Sequence, residues 1–242
     1  MSKILRLYDP MMILADYKNP EVHKHLASHI IISLGGEMVL KIENKELKCR
    51  GICIAPNILH TGAMTEGGSI VFIFTEISRY AASINKKYLK GKPYAIITDD
   101  VVDKMLMEYM KHQVDQETLD ARLLRQCEIY NLHKHEYDER IKEVLLYING
   151  LETIEHSIID DLSNRIYLSK SRLSHLFREQ TGMTLHSYLA FQKINKTFHY
   201  IYNGRNITEA CIKAGFDSSS HCAATCKRMF GISLSDVYKT LE

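Results

Sequence analysis

Four histidines near the N-terminus, His23, His25, His29 and His60, have the type and spacing to bind a transition metal. A neutral imidazole donates a nitrogen lone pair and suits Zn, Ni, Cu or Fe. The first three are odd-numbered, so an uninterrupted strand would turn them to one face; His60 follows Pro56 after another strand-like run. Converging there, they would hold a divalent transition metal as the cofactor or effector of the chain. A pocket for a small organic effector, or a purely structural role for the same residues, stays open. A second constellation lies in the last third. Ser169 precedes Lys170, Ser171, Arg172, Ser174, His175 and Arg178, and further on stand Ser219, Ser220, His221, Lys227 and Arg228. Hydroxyls and ring nitrogens bond base edges and cations bond phosphates, so both groups fit double-stranded DNA. Cys211, Cys222 and Cys226 form a third group. Four-residue spacing puts Cys222 and Cys226 on one helical face, as a metal or redox sensor needs. The same positions suit a buried stripe, where free cysteine is a small hydrophobe.

The elements that must position the second group are marked by a repeat. Leu173, His175, Leu176, Phe177, Arg178, Glu179, Gly182, Thr184 and Leu185 recur 49 residues later as Cys222, Ala224, Thr225, Cys226, Lys227, Arg228, Gly231, Ser233 and Leu234. The step also carries Ile158 onto Ile207 and Ser169 onto Ser218, so it spans two helices and their turn. Ile158, Asp161 and Leu162 begin a short helix, Tyr167 to Ser169 make the turn, and Ser169 caps a second helix whose buried stripe is Leu173, Leu176 and Phe177. Its opposite face holds the polar residues, with Ser174 and His175 expected at bases and Arg178 at phosphate. Leu185 to Ile201 reads as a longer helix joining two such units. Helices held on that strut reach successive major grooves, about 34 Å apart.

The histidines lie instead among strands. Ile30 to Ser33, Met38 to Ile42, Glu46 to Cys49, Ile52 to Ala55 and Ile70 to Phe74 are short β-rich runs, broken by Gly35, Gly36, Asn44, Gly51, Pro56, Gly67 and Gly68. That spacing predicts a small barrel or sandwich. After Pro93, Val102, Met105, Leu106, Tyr109 and Met110, then Leu119, Leu123, Leu124, Cys127 and Ile129, recur at helical spacing. Two such helices either pack on the strands or form a dimer seam. A further helix starts near Asp138, buries Ile141, Val144, Leu145 and Ile148, and stops at Gly150. The polar stretch between Glu128 and Asp138, with Asn131, His133, Lys134 and His135, is the expected boundary.

Composition sets the outer limits. The 242 residues fit two domains of ordinary size. Hydrophobic content of 45% and charged content of 25% are those of a globular protein. No apolar run approaches the roughly 20 residues of a bilayer span, and Lys3, Arg6 and Asp9 interrupt any signal-peptide core. The expectation is a cytoplasmic chain with no membrane partner and six reduced cysteines. Net charge is +2, and from Asp138 onward thirteen Lys or Arg face twelve Asp or Glu, so attraction to DNA depends on where charge sits.

The C-terminal stretch from Ile141 to Glu242 resembles the DNA-binding domain of AraC/XylS-type transcription regulators. The resemblance rests on Ser169, Phe177-Arg178, Gly182, Tyr188-Leu189, Gly215-Phe216, Lys227, Phe230 and Gly231. It implies two helix-turn-helix units, RNA polymerase as a partner, and an effector-binding N-terminal domain; a homodimer is left open. This chain departs from the pattern at Cys222 and Cys226, usually large and apolar, and at Ala224, often a base-reading Arg. It departs again at Lys193, usually Arg, at Thr197, usually Ala, and at Leu234, usually Pro. The N-terminal part resembles the cupin pattern in His23-x-His25, His29, Gly36, Gly51, Pro56 and His60, with His29 where Glu is common.

The expected fold is α+β. A cupin-like small β-barrel occupies residues 1–95, a helical connector or dimerisation region 96–137, and an all-α tandem helix-turn-helix domain 138–242. The expected function is sequence-specific DNA-binding regulation of transcription, controlled by an effector or metal in the barrel. The rival is a metal-dependent cupin enzyme with a helical appendage, which needs an acid or base beside the metal. Glu37 is the only clear carboxylate on offer.

Overall fold

The computed structural model describes residues 3–6, 10–15, 22–63, 67–78, 80–111, 116–130, 136–230 and 233–235. The expected boundary residues Asn131, His133, Lys134 and His135, and Gly231 of the repeat, lie outside them. The chain forms two compact units, the first built on residues 1–134 and the second on residues 135–227, with short C-terminal segments shared between them.

Alternating and fully apolar runs make the first unit's strands: β1 (Lys3–Arg6), β2 (Met11–Ala15), β3 (Ser28–Ser33), β4 (Met38–Ile42), β5 (Lys45–Cys49), β6 (Gly51–Ile54), β7 (His60–Ala63), β8 (Ser69–Phe74) and β9 (Tyr94–Ile96). They form a six-stranded sheet, ordered β1-β2-β8-β3-β6-β9, and a separate three-stranded sheet, β5-β4-β7. A closed cupin-like barrel is therefore corrected: among the described residues the ladder ends at β1 on one side and β9 on the other, and neither joins the smaller sheet. Short strands at even spacing specify pairing but not closure. The outer edge is a three-residue strand whose Ile96 is exposed, too short to extend the ladder further.

Strands β3 and β8 are buried on both faces, which explains their unbroken apolar runs. Even-numbered Ile30, Ile32, Ile70, Phe72 and Phe74 share one core with Val102, Met105, Leu119, Leu123, Leu124 and Cys127. These last six come from the helical stretch after Pro93. A short α1 (Ala81–Ile84) runs into a π-helical turn at Asn85–Leu89, and β9 is followed by α2 (Asp99–Lys111) and α3 (Gln116–Gln126). The two helices thus spend their apolar stripes on the sheet. Odd-numbered His29 stands on the opposite face, paired in register with Ile54 of β6 and Ile73 of β8.

The second unit contains α4 (Glu139–Gly150), α5 (Ile158–Arg165), α6 (Lys170–Thr181), α7 (Leu185–Tyr202), α8 (Ile207–Lys213) and, as far as Lys227, α9 (Ser219–Phe230). Helix α4 starts where Asp138 caps it, accepting from the Arg140 backbone at 3.0 Å. The Arg140 guanidinium also bonds that carboxyl and holds it down at about 2. The repeat is seen in the backbone: α9 begins and ends 49 residues after α6. Ser169 Oγ accepts from Arg172 N at 3.3 Å, and Ser218 Oγ accepts from His221 N at 3.1 Å. Each hydroxyl satisfies one of the donors a helix start leaves unpaired. Replacing Ser169 by Ala is expected to lower stability by about 1 kcal/mol, and Ser218→Ala by a similar amount. Urea titration of each variant checks this; an unchanged midpoint for both would show that solvent replaces the caps.

Between the repeats, Thr184 caps α7 through Ser187 N at 3.1 Å. Its 18 residues give a strut of about 27 Å. Phe177 of α6 is fully buried, its ring 5.5 Å from that of Tyr188 on α7. No helix among the described residues is long and apolar enough to cross a membrane.

Candidate functional site

Helix α6 separates its residues as its sequence requires. Leu173, Leu176 and Phe177 are buried; Lys170, Ser171, Arg172, His175 and Arg178 are exposed, as is the capping Ser169, and Ser174 is half-buried. Arg172 and Arg178 form no ion pair among the described residues, so both cations are available to phosphate. Lys170 is paired with Asp160 of α5.

On α9, Ser220, His221, Ala224, Lys227 and Arg228 are exposed and Ser219 is half-buried, while Cys222, Thr225 and Cys226 are buried. The exposed face matches that of α6 in place but not in chemistry. Ala224 occupies the position equivalent to His175 and offers only a methyl group. His221 is held from below: its Nδ1 lies 3.3 Å from Asp217 Oδ2, and Asp217 Oδ1 lies 2.5 Å from His156 Nε2. Desolvation is the largest single influence and pushes the Asp217 carboxyl up, but His156 and His221 together outweigh it and keep it below its usual range. Sequence reasoning missed Asp217 and His156. The four-residue step from Asp217 to His221 was a readable signal, but His156 is brought in from another part of the chain.

The three C-terminal thiols, Cys211, Cys222 and Cys226, are fully buried. Burial raises the Cys226 thiol pKa, whereas the hydrogen bond from Cys211 lowers that of Cys222. Two departures from the expected pattern meet here. Thr197 on α7 donates to the Lys193 carbonyl at 2.9 Å and sits 3.7 Å from Cys222 Sγ. A side chain larger than alanine faces one smaller than the usual large apolar residue, so the two departures offset each other in part. Lys193, the third departure, reaches the Gly215 carbonyl with its Nζ at 2.5 Å and lies over the Phe216 ring. It ties α7 to the turn that aims α9.

In the first unit the histidines converge by a route the strand alternation did not describe. Strand β3 starts only at Ser28, so His23 and His25 precede it in irregular backbone. They are brought in by pairing instead. His23 and His60 form an isolated antiparallel bridge, with N–O distances of 3.0 and 2.9 Å, and Asn57 N donates to the His25 carbonyl at 2.6 Å. The ring centroids of His23 and His60 are 4.4 Å apart, those of His23 and His25 4.6 Å, and those of His25 and His60 5.2 Å. One nitrogen from each of these three lies within 4.8 Å of the others. His29 packs on two of them, 4.8 Å from His25 and 4.6 Å from His60 by centroid, but it is not one of that close donor set. The four-histidine expectation thus becomes three plus one.

Electrostatics prepares the rings as donors. Desolvation first, then His23 and His60, lowers the His25 pKa to about 3. Desolvation also takes His60 to about 4, against the pull of its hydrogen bond to Ile58. His29 is fully buried and lies well below its ordinary value for the same first reason. All three are neutral near pH 7. Since a carbonyl only accepts, the 2.8 Å contact from His60 Nδ1 to the Ile58 oxygen puts the proton on Nδ1 and the lone pair on Nε2. Glu37, the carboxylate an enzyme reading needs, is exposed at the turn before β4.

A helix-turn-helix domain family model matches residues 162–240. The chain is 30% identical over 120 residues to the arabinose operon regulatory protein of Salmonella typhimurium, a match covering 49% of this chain and 43% of that regulator. The chain thus spans less than half the length of that relative. It is 31% identical over 108 residues to the transposon Tn10 TetD protein of Escherichia coli, covering 41% of this chain and 77% of TetD. Among solved structures, apo ToxT from Vibrio cholerae has the same fold, with a TM-score of 0.59, 11% identity, and coverage of 100% of this chain and 97% of ToxT. Another ToxT structure, with a TM-score of 0.53 and 13% identity over 99% of this chain and 95% of ToxT, has an unsaturated fatty acid bound.

Proposed function

From the premise that this chain belongs to the AraC/XylS-type family of DNA-binding transcription regulators, we propose that α6 and α9 read one specific DNA site and that the first unit holds the input controlling them. The observation that carries this is the 49-residue repeat of capped helices, each with a polar exposed face and a buried stripe. Ser171, Ser174 and His175 contact bases in the first major groove, and Arg172 and Arg178 its phosphates. Ser169 and Lys170 stand at the start of the same helix. In the second groove the contacts come from Ser219, Ser220 and His221, with Lys227 and Arg228 near phosphate. Double-stranded DNA and RNA polymerase are the partners this implies. That ToxT, of the same fold, takes an unsaturated fatty acid supports control by a small molecule.

The test is a map of the DNA bound by the full chain, followed by footprinting of the strongest site. Protection over two successive major grooves on one face of the duplex is expected. Binding that scrambled DNA competes away at equal concentration would overturn the reading. The asymmetry between the helices gives a sharper expectation. With Ala224 in place of a reading side chain and an acid, Asp217, beside His221, substitutions under α6 should cost about 1–3 kcal/mol each and those under α9 less. A saturation scan that finds equal penalties in both halves would reject this.

A further inference from the structure

We propose that His23, His25 and His60 bind one divalent first-row transition-metal ion per chain, and that this ion is the controlling input of the first unit. The second half rests on the regulatory reading above; the binding does not.

The donors come from two chain segments that the backbone pins together. The His23–His60 bridge and the Asn57–His25 hydrogen bond fix where each ring leaves the main chain. Tetrahedral coordination at ordinary Zn–N lengths places donors about 3.3 Å apart. The three nitrogens, within 4.8 Å of one another, reach that spacing by ring rotations. His60 already has the arrangement of a ligating imidazole: Nδ1–H is held by a carbonyl, and Nε2 is left as donor.

The second, independent observation is His29. It is 2% exposed, and neither ring nitrogen makes a hydrogen bond; the Ala27 backbone acts on it without hydrogen-bond geometry. Burying a polar ring unpaired is costly. The charged or polar side chains that act on His25, His29 and His60 are histidines of the same cluster. No carboxylate is among the groups acting on these three. Ring-on-ring contact between imidazoles takes up no lone pair, whereas one ion takes up three at once. An ion held by three nitrogens keeps a fourth position, and an atom bound there would give His29 its missing partner. An all-imidazole set favours Zn, Ni, Cu or Co over Mg or Ca, which want oxygen.

The probes are Zn²⁺ and Co²⁺ added to full-length protein without an affinity tag, after chelator treatment. The expected result is uptake of one ion per chain, d–d absorption from Co²⁺ that Zn²⁺ displaces, and no response to Mg²⁺. His23→Ala alters a half-buried residue outside the named strands and should weaken uptake at least about 100-fold, beyond the loss typical of an outer-shell partner. Circular dichroism of the metal-free variant should match the parent. His60→Gln gives a second removal of a donor. Absent saturable uptake, or affinity unchanged in both variants, overturns the site. Footprinting runs in parallel on stripped and loaded protein. Specific DNA binding without metal uptake overturns the metal site alone, and metal uptake without a footprint overturns the DNA reading alone. A footprint identical with and without bound metal overturns the ion as the input.

Discussion

Replacing Gly215 by alanine is expected to destabilise the second unit severely. Gly215 has φ +98°, and a Cβ built there would lie 2.0 Å from the Ile154 carbonyl oxygen and 2.8 Å from its carbon. Both are backbone atoms, so no rotamer relieves the overlap. The neighbourhood is also tied down. Ile154 N donates to the Ala214 carbonyl at 3.4 Å, and Lys193 Nζ donates to the Gly215 carbonyl at 2.5 Å. Left-handed backbone alone costs a non-glycine residue about 1–2 kcal/mol. Separating two backbone segments adds enough to carry the loss above about 4 kcal/mol, a large part of the 5–15 kcal/mol typical of a domain.

Gly204 is the control. It has φ +83° but nothing within 4 Å of an added Cβ, so Gly204→Ala should cost only the conformational 1–2 kcal/mol, as an order of magnitude. Urea denaturation of the two variants compares them directly. If their stabilities fall within about 1 kcal/mol of each other, the α8–α9 turn yields and the steric argument fails.

The second large effect concerns α6. His175→Ala should relax sequence preference, costing on the order of 1–3 kcal/mol on the specific site and little on scrambled DNA. Arg178→Ala should weaken both alike and reduce the slope of log affinity against log salt by about 1, because a phosphate contact releases a counterion whatever the sequence. Both side chains are exposed, so neither change should move folding stability by more than about 0.5 kcal/mol. This separates a contact effect from a folding effect. Affinities on native and scrambled sites at several salt concentrations decide it. Unchanged discrimination by the His175 variant would remove that residue from the base-reading set; an Arg178 variant that loses only specific binding would reverse its role.

Local signals carried much of the fold. Met38–Ile42 is a strand as its alternation indicates, Asp138 and Ser169 cap the helices they precede, and the step from α6 to α9 is the step between their sequences. These features depend on neighbours within a few residues. The destination of α2 and α3 was not readable in the same way, because an apolar stripe specifies that a face is covered but not by what; here the sheet covers it. Sheet closure was also beyond reach, since it depends on whether two distant edge strands meet.

The histidines show the division most plainly. By itself, the sequence determined that four imidazoles belonged to one region and that two helices would present matching polar faces, because composition and period are local properties. Only the tertiary structure decided that His23 and His25 reach the cluster by bridging to the segment that leads into β7, that His29 is buried beside the close donors rather than among them, and that Asp217 links His221 to His156. The physical reason is the same in each case. Hydrogen bonds across chain segments and the burial they impose set side-chain distances and proton affinities, and residue spacing along the chain does not encode which segments will meet.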